Sequence, residues 1–255
     1  MIRSLYTAVS GMIATENQQA NVVNNMTNAN TTGYKKDSLI TKSFDEVLLQ
    51  NQQKVGKNLY TTKKLGKMSF GVAMDEVNTN FEQGDLKETG KKSDFGINGN
   101  GFFAIQTSDG VKYTRDGQFK VNNQGYLVNT SGHQVLGRNN ATGALEPIYV
   151  GGSEYVLDSE NNLVINGQAA QKLAIADFAD YTQLKKVGDN YYTTTENPTY
   201  INPDIKQGFL ESSNVNILNE MVDMISVMRN FETNQKFVTY IDNTLEMAAN
   251  KVGKV

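Results

Sequence analysis

Apolar side chains near the N-terminus recur at steps of three and four residues. The positions that follow this spacing are Ile2, Leu5, Val9, Met12, Val23 and Met26, with Glu16 and Gln19 at the two intermediate positions. This pattern predicts an amphipathic helix whose apolar stripe has a polar centre. Residues 28–35, NANTTGYK, are rich in turn-forming residues and contain Gly33, so the helix is expected to end near Asn28.

A longer stripe with the same spacing lies near the C-terminus. It comprises Ile217, Met221, Met224, Met228, Phe231, Gln235, Val238, Asp242, Leu245, Ala249 and Val252. The alternating steps of four and three are those of a heptad repeat. Asn216 is a suitable N-cap, and Glu220 in the first turn favours the helix dipole. A helix with an apolar stripe needs a partner, so we expect the two terminal helices to pair as a coiled coil.

The chain between the two helices is predicted to be mainly β. From residue 94 to residue 195, apolar and aromatic runs are separated by DG, DG, QG and SG turns at intervals of roughly ten residues. Residues 43–46, SFDE, fit a capping box and predict a short helix after Ser43.

The expected fold class is therefore α+β, with long N- and C-terminal helices paired as a coiled coil and an inserted all-β domain. The predicted division is residues 1–30 plus 214–255 for a terminal helical assembly domain, 31–93 for a connecting region with a short helix and extended segments, and 94–213 for a mainly β outer domain and return linker.

Composition excludes several classes of function. The 255 residues include no Cys, which excludes disulfides, thiolate metal sites and a Cys nucleophile. With one His, the chain cannot build a metal site from two or three histidines. A net charge of −3 with scattered Lys residues gives no electrostatic footprint for nucleic acid. No stretch approaches the roughly 18 apolar residues of a membrane span, so membrane insertion is not expected.

The N-terminus lacks the apolar region of a secretory signal. The chain is therefore expected either to stay in the cytoplasm or to be exported by a route that does not read such a signal.

Three sets of residues could carry chemistry, but each has a structural explanation. Gly99, Gly101 and Ala104 match the dinucleotide fingerprint G-x-G-x-x-A, yet the strand-like FFAIQ follows where the fingerprint needs a helix. His133 lies in a turn, and no G-x-S-x-G motif supplies a nucleophile for it. The adjacent acids are expected on a solvated surface: Asp45/Glu46, Asp75/Glu76 and Asp158/Glu160. We predict no catalytic, cofactor-binding or metal-binding residue, and no enzyme.

The Met- and Phe-rich C-terminal stripe has two explanations. It forms a core within its own chain, or it forms a core shared with other subunits. The N-terminal stripe is shorter and polar in its middle, so it covers only part of the C-terminal one, which favours the shared core.

Three segments resemble the bacterial flagellar axial proteins, specifically the basal-body rod and hook-basal-body group. The N-terminal motif N-N-x-x-N-x-x-T-x-G-Y-K is carried by Asn24, Asn25, Asn28, Thr31, Gly33, Tyr34 and Lys35. GINGNGFFAI and YTRDGQFKVNNQGYLVNTSGHQVLG resemble the central β-domain signature of the family. GFLESSNVNILNEMVDMISVMRNFETNQKFV resembles its C-terminal motif.

This resemblance implies a structural subunit of the flagellar basal-body rod that polymerises helically into a hollow, torque-transmitting shaft outside the cytoplasmic membrane. Residues 68–90 resemble the distal-rod proteins; a proximal rod protein or another hook-basal-body axial protein is the alternative, and a secreted interaction protein is a further one. The implied partners are other copies of the chain, neighbouring rod and hook proteins, the flagellar type III export apparatus, and rod-surrounding rings where the host has an outer membrane. No cofactor is implied.

The expected assembly interface combines both helical stripes with the N-terminal motif. Its residues are Leu5, Val9, Met12, Val23, Asn24, Asn25, Asn28, Thr31, Gly33, Tyr34, Ile217, Met221, Met224, Met228, Phe231, Val238 and Leu245.

Overall fold

The computed structural model describes residues 2–54, 60–140, 142–158, 160–165 and 167–252. The chain forms two compact units. The helical unit comprises Met1–Met26, Asp37–Asn78 and Ile217–Val255, and the β unit comprises Thr27–Lys36 and Thr79–Asn216. The predicted connecting region, residues 31–93, is divided between these two units.

Two helices form the main part of the helical unit. Helix α1 spans Ile2–Thr27 and ends beside Asn28, as the turn-rich run predicts. Helix α2 spans Ile217–Met247, with Glu220 in its first turn, and continues as a π-helical segment, Ala248–Val252. The α+β class with a helix before and after a large β region is confirmed.

Four strands complete the helical unit. They are β1 (Asp37–Ser43), β2 (Val47–Lys54), β3 (Tyr60–Met68) and β4 (Val72–Thr79). Strand β1 pairs with β4, and β2 pairs antiparallel with β3.

The predicted short helix after Ser43 is wrong, because β2 follows instead. The N–H of Phe44 donates to the carbonyl oxygen of Gly71, and the carbonyl oxygen of Phe44 accepts from Ser69 Oγ, each at 2.9 Å. These bonds to a distant segment satisfy both backbone groups of Phe44, and a four-residue capping signature cannot compete with them.

The β unit contains the remaining strands. They are β5 (Leu86–Glu88), β6 (Phe95–Asn98), β7 (Phe102–Thr107), β8 (Gly110–Thr114), β9 (Phe119–Val121), β10 (Leu127–Asn129), β11 (Gln134–Asn139), β12 (Leu145–Pro147), β13 (Tyr155–Leu157), β14 (Asn162–Ile165), β15 (Gln168–Leu173), β16 (Ile175–Asp177), β17 (Lys185–Lys186), β18 (Tyr192–Thr193), β19 (Thr199–Ile201), β20 (Asp204–Gln207) and β21 (Phe209–Glu211). A short 3₁₀ helix spans Tyr181–Gln183.

Strand β7 is the centre of the β unit. Among the described residues, thirteen strands form one sheet, whose main path is β13-β14-β15-β11-β7-β8-β18-β17. Alternate side chains of β7 enter two apolar clusters: Phe103 and Ile105 join one, and Phe102 and Ala104 join the other. Both faces of this strand are therefore buried, as its continuous apolar run requires.

Candidate assembly surface

Most side chains of α2 are exposed to solvent, although many of them are apolar. Of its described residues, Glu220 and Val227 alone are buried. The exposed large apolar side chains are Ile217, Leu218, Met221, Val222, Ile225, Met228, Phe237, Tyr240 and Met247. A helix that is apolar around most of its circumference is normally covered on more than one side. Much of the apolar surface of α2 is therefore left uncovered by its own chain.

Three of these side chains form a second stripe on α2. Leu218, Val222 and Ile225 are spaced at four and three residues, and Val222 is 65% exposed. Leu218 precedes the buried Val227 by nine residues, or about two and a half helical turns, so this stripe lies on the side opposite Val227. This stripe is not part of the predicted interface, because the heptad stripe accounted for the apolar content of the helix. A signal for it was present in the sequence, because Leu218, Val222 and Ile225 follow the same steps of four and three at positions outside the heptad stripe.

The predicted stripe on α2 is covered only in part by its own chain. Ile217, Met221 and Met228 are exposed. The remaining predicted interface residues of this helix are half-buried: Met224, Phe231, Val238 and Leu245.

Helix α1 packs against its unit with a different face from the predicted one. Its buried side chains are Ala8, Ala14, Val22 and Asn25. The predicted stripe is more accessible: Val9 and Val23 are exposed, and Leu5 and Met12 are half-buried.

Helices α1 and α2 approach each other closely at Gly11, which is not part of the predicted apolar stripe of α1. A Cβ atom on Gly11 would lie 3.1 Å from Asn234 Nδ2. Small side chains on this face of α1 allow the backbone to come close to its neighbours.

An apolar cleft of about 520 Å³ lies within the helical unit. It is lined by Ser4, Thr7, Ala8, Met68, Phe70, Asn234 and Phe237. Thr7 Oγ1 donates a hydrogen bond to the carbonyl oxygen of Phe70, which ties α1 to the segment between β3 and β4 at this cleft. The cleft is open to solvent, and the ring of Phe237, which lines it, is exposed.

Asn25 joins three segments of the helical unit. Its Nδ2 donates to the carbonyl oxygen of Asp37 at 2.8 Å and to Glu220 Oε2 at 3.3 Å, and its Oδ1 accepts from the N–H of Asp37 at 3.0 Å. Asn21 Nδ2 donates to the same carbonyl oxygen at 3.0 Å. Asn25 is 1% exposed, so this predicted interface residue makes these contacts inside its own chain.

Replacing Asn25 by Ala is expected to lower the stability of the helical unit by about 1–3 kcal/mol, because buried partners of the amide lose their hydrogen bonds. The measurement is urea unfolding of the purified chain followed by circular dichroism at a helical wavelength. Asn243→Ala, at an exposed position of α2, is the matched control and should leave the unfolding midpoint almost unchanged. Equal midpoints for the two variants would contradict the assigned role of Asn25.

The end of the N-terminal motif lies inside the β unit and not on its surface. Lys35 is 0% exposed, and its Nζ lies 2.5 Å from Glu211 Oε1 and 2.7 Å from the carbonyl oxygen of Glu82. Arg115 Nη1 donates to Glu211 Oε2 at 3.2 Å. We refer to Lys35, Arg115 and Glu211 as the buried ion cluster. Burial lowers the pKa of the Lys35 ammonium group, and the Glu211 carboxylate opposes that shift.

Other residues of the motif also contact their own chain. The ring of Tyr34 is buried, with Lys186 Nζ 3.8 Å from its centroid. Thr31 Oγ1 donates to Asn28 Oδ1 at 3.2 Å, which closes the turn after α1. Asn24 lies exposed on α1.

Lys35 belongs to the N-terminal motif, but its pairing with Arg115 and Glu211 was not predicted from the sequence. Lys35 and Glu211 are 176 residues apart, and no local pattern reports a pairing over that distance.

The three sets of residues considered from the sequence as candidate catalytic or binding sites lie in turns, in a strand or on the exposed surface. Gly99 and Gly101 lie between β6 and β7, so a strand follows where the dinucleotide fingerprint needs a helix. His133 Nδ1 lies 3.1 Å from the hydroxyl oxygen of Tyr191, in the turn between β10 and β11. The adjacent acids are exposed: Asp45/Glu46, Asp75/Glu76 and Asp158/Glu160.

Among the described residues, no group of three or more His, Cys, Asp or Glu side chains is placed to hold a metal ion. Neither described helix is long and apolar enough to cross a membrane.

An extensive exposed apolar surface marks a site of interaction with another molecule. Three family models match the sequence at the segments that carry the resemblance. "Flagella basal body rod protein" matches residues 5–35, "Flagellar hook protein FlgE/F/G D1 domain" matches 96–177, and "Flagellar basal body rod FlgEFG protein C-terminal" matches 206–251.

Curated relatives match over the whole length. The flagellar basal-body rod protein FlgG of Bacillus subtilis is 31% identical over 268 residues, covering 98% of this chain and 99% of the relative. The flagellar basal-body rod protein FlgF of Caulobacter vibrioides is 32% identical over 267 residues and covers 100% of both chains. The flagellar hook-basal body complex protein FlhO of Bacillus subtilis is 29% identical over 276 residues, also covering 100% of both.

The chain belongs to the flagellar basal-body rod protein family. It is a structural subunit located in the flagellar basal body, and not an enzyme.

Proposed function

We propose that copies of this chain polymerise helically into the hollow, torque-transmitting shaft of the rod. The observation that carries the proposal is the second stripe of α2, Leu218, Val222 and Ile225, which faces away from the buried Val227. A helix with apolar side chains on opposite sides is suited to lie between its own chain and a neighbour. Burial of each large apolar side chain stabilises such a contact by about 1.5–3 kcal/mol.

We further propose that α1 and α2 pair as a coiled coil whose core is completed by neighbouring subunits. The close approach at Gly11 and Asn234 and the bond from Asn25 to Glu220 support the pairing. The exposed Val9, Val23, Met221 and Met228 are the positions that neighbours would cover. Contacts of this kind between different surfaces of the subunits do not close on themselves and give an open filament.

The interface is proposed to include both helical stripes, the apolar cleft and Asn24. Tyr34, Asn25, Asn28 and Thr31 make the contacts described above within their own chain, and the N–H of Gly33 donates to the carbonyl oxygen of Glu211 at 2.8 Å. These residues would hold the turn after α1 in shape. The β unit would then lie outside the shaft.

The proposed place is the distal rod, supported by the resemblance of residues 68–90 to distal-rod proteins; the proximal rod is the alternative. The proposed partners are further copies, neighbouring rod and hook proteins, the flagellar type III export apparatus and, where an outer membrane is present, the surrounding rings. Electron microscopy of purified basal bodies labelled with an antibody against the β unit distinguishes the two positions.

The test of polymerisation uses one charge placed in the second stripe. Val222→Asp is expected to reduce the amount of the chain in purified basal bodies at least about ten-fold, since a buried unpaired carboxylate opposes the contact. The measurement is quantitative mass spectrometry of basal bodies from cells in which the variant replaces the unchanged chain.

Asn230→Asp is the matched control, because it adds the same charge at an exposed polar position of α2. It should be incorporated normally. Circular dichroism of both purified variants tests whether the subunit itself is folded. Normal incorporation of a folded Val222→Asp chain would overturn the proposal that this stripe is an assembly surface.

A further inference from the structure

All eight methionines that the structure describes fall in the helical unit. They are Met12, Met26, Met68, Met74, Met221, Met224, Met228 and Met247. The β unit has none, and the whole chain has no Cys and no Trp. The thioethers, which peroxides oxidise readily, are thus confined to the unit proposed to bind other subunits.

Three of these side chains lie along one side of α2. Met221 and Met228 are 39% and 46% exposed, and Met224, between them, is half-buried. Their steps of three and four residues place them in the heptad stripe, next to one another on the helix surface. At least two of the three side chains are therefore accessible to a small oxidant in solution in the free subunit.

We propose that Met221, Met224 and Met228 form a peroxide-sensitive modification site that controls whether a free subunit can assemble. The inference rests on the proposed function, because it requires neighbours to cover this stripe. Oxidation of the free subunit blocks its incorporation, and a subunit already in the rod is protected.

The reaction is an oxygen transfer from a peroxide. The sulfur lone pair attacks one peroxide oxygen, the O–O bond breaks, and a new S–O bond forms. With hydrogen peroxide, the second oxygen leaves as hydroxide and becomes water after proton transfer, so sulfur loses two electrons and the peroxide gains them. The sulfoxide is reduced again by methionine sulfoxide reductases, which makes the modification reversible.

The consequence for assembly follows from polarity. A thioether is apolar and adapts its shape to a neighbouring surface. A sulfoxide oxygen is a strong hydrogen-bond acceptor, and burying it without a donor is unfavourable. One added oxygen on the stripe therefore weakens the contact that the unmodified side chain stabilises.

A competition inside the same cells tests the proposal. The unchanged chain and a Met221→Leu/Met224→Leu/Met228→Leu chain are co-expressed at equal levels, and cells are grown with or without hydrogen peroxide. Peptide mass spectrometry measures both chains in purified basal bodies and in the unassembled pool. Met-to-Leu changes nearly conserve volume, so the Leu chain should assemble without peroxide.

With peroxide, the ratio of the Leu chain to the unchanged chain in basal bodies should rise about ten-fold, which corresponds to about 1.4 kcal/mol of lost contact energy. A Met74→Leu chain is the matched control. It removes an exposed thioether of the same unit on β4, outside the apolar cleft and outside α2, and its ratio should not change.

A second measurement does not depend on the Leu chain. In the unchanged chain, sulfoxide at Met221, Met224 and Met228 should be found in the unassembled pool and be depleted in basal bodies. Equal sulfoxide content in both pools, a ratio unaffected by peroxide, or no sulfoxide in the unassembled pool at any tolerated dose would overturn the inference. Absence of the unchanged chain from basal bodies without peroxide would instead overturn the proposed function.

Discussion

Glu211→Gln is expected to lower the free energy of unfolding of the β unit by about 3–5 kcal/mol, the effect of removing one partner of a buried ion pair. Glu211 is the single carboxylate of the buried ion cluster, and its two oxygens accept from Lys35 and Arg115. All three side chains are almost completely buried. The neutral amide leaves two cations in a low-dielectric environment without the charge that balances them.

The Glu211 carboxylate also holds a backbone group, the N–H of Gly84. Glu211 Oε1 accepts from the N–H of Gly84 at 3.0 Å. The amide of Gln can replace one of these acceptor contacts, but it cannot accept from both sides of the cluster.

The measurement is urea unfolding followed by near-ultraviolet circular dichroism, which reports the buried tyrosines of the β unit such as Tyr34 and Tyr192. Glu154→Gln is the matched control, because Glu154 pairs with Lys92 at 3.1 Å while both side chains are exposed. The control should change the free energy of unfolding by at most about 1 kcal/mol. If the two variants lost the same small amount, the buried ion cluster would not hold the β unit together.

Gly33→Ala is expected to destabilise the β unit by about 2–5 kcal/mol, the sum of about 1–2 kcal/mol of backbone strain and about 1–3 kcal/mol of overpacking. Gly33 has a φ of 65°, a conformation that side chains other than Gly rarely adopt. Its Cβ would lie 2.5 Å from the carbonyl carbon of Arg115 and 2.5 Å from the nitrogen of Asp116. These are backbone atoms, so they cannot move away as a flexible side chain would.

A shift of residue 33 that relieved the clash with Arg115 and Asp116 would itself be unfavourable. Its N–H donates to the carbonyl oxygen of Glu211 at 2.8 Å, so moving residue 33 away from Arg115 also strains this bond beside the buried ion cluster.

Gly90→Ala separates the two causes. Gly90 has nearly the same φ, 68°, but a Cβ there would meet nothing within 4 Å. The control should therefore lose only the strain contribution, about 1–2 kcal/mol. Both variants are measured by the same urea unfolding. If both variants lost the same free energy of unfolding, the close approach to Arg115 and Asp116 would contribute nothing to the effect of Gly33→Ala.

The sequence predicts the helices and hairpins well because their signals are local and long. The stripe on α2 extends over several heptads, and the turn-rich run after Thr27 ends α1 close to the expected residue. The DG turn at Asp109 and Gly110 joins β7 to β8 as expected. The short helix after Ser43 failed because its signal was four residues long and tertiary hydrogen bonds to Ser69 and Gly71 overrode it.

The packing faces could be predicted only in part. A hydrophobic pattern is read from large side chains, whereas α1 packs with Ala8, Ala14 and the neighbourhood of Gly11, where small size matters more than hydrophobicity. The buried ion cluster had no signal at all, because charged residues are normally expected at the surface and their pairing joins distant segments.

The hydrogen bond between Asn25 and Glu220 joins residues 195 positions apart, and this separation fixes the order in which the subunit can form. Synthesis proceeds from the N-terminus, so α1 exists long before α2, and their contact must wait for the segment that follows the β unit. The β unit needs no residue beyond 216 and can fold earlier. Closing so long a loop is also slow. A chain synthesised as far as residue 216 therefore holds every residue of the β unit but lacks α2, so the proposed assembly surface is the last part of the subunit to be completed.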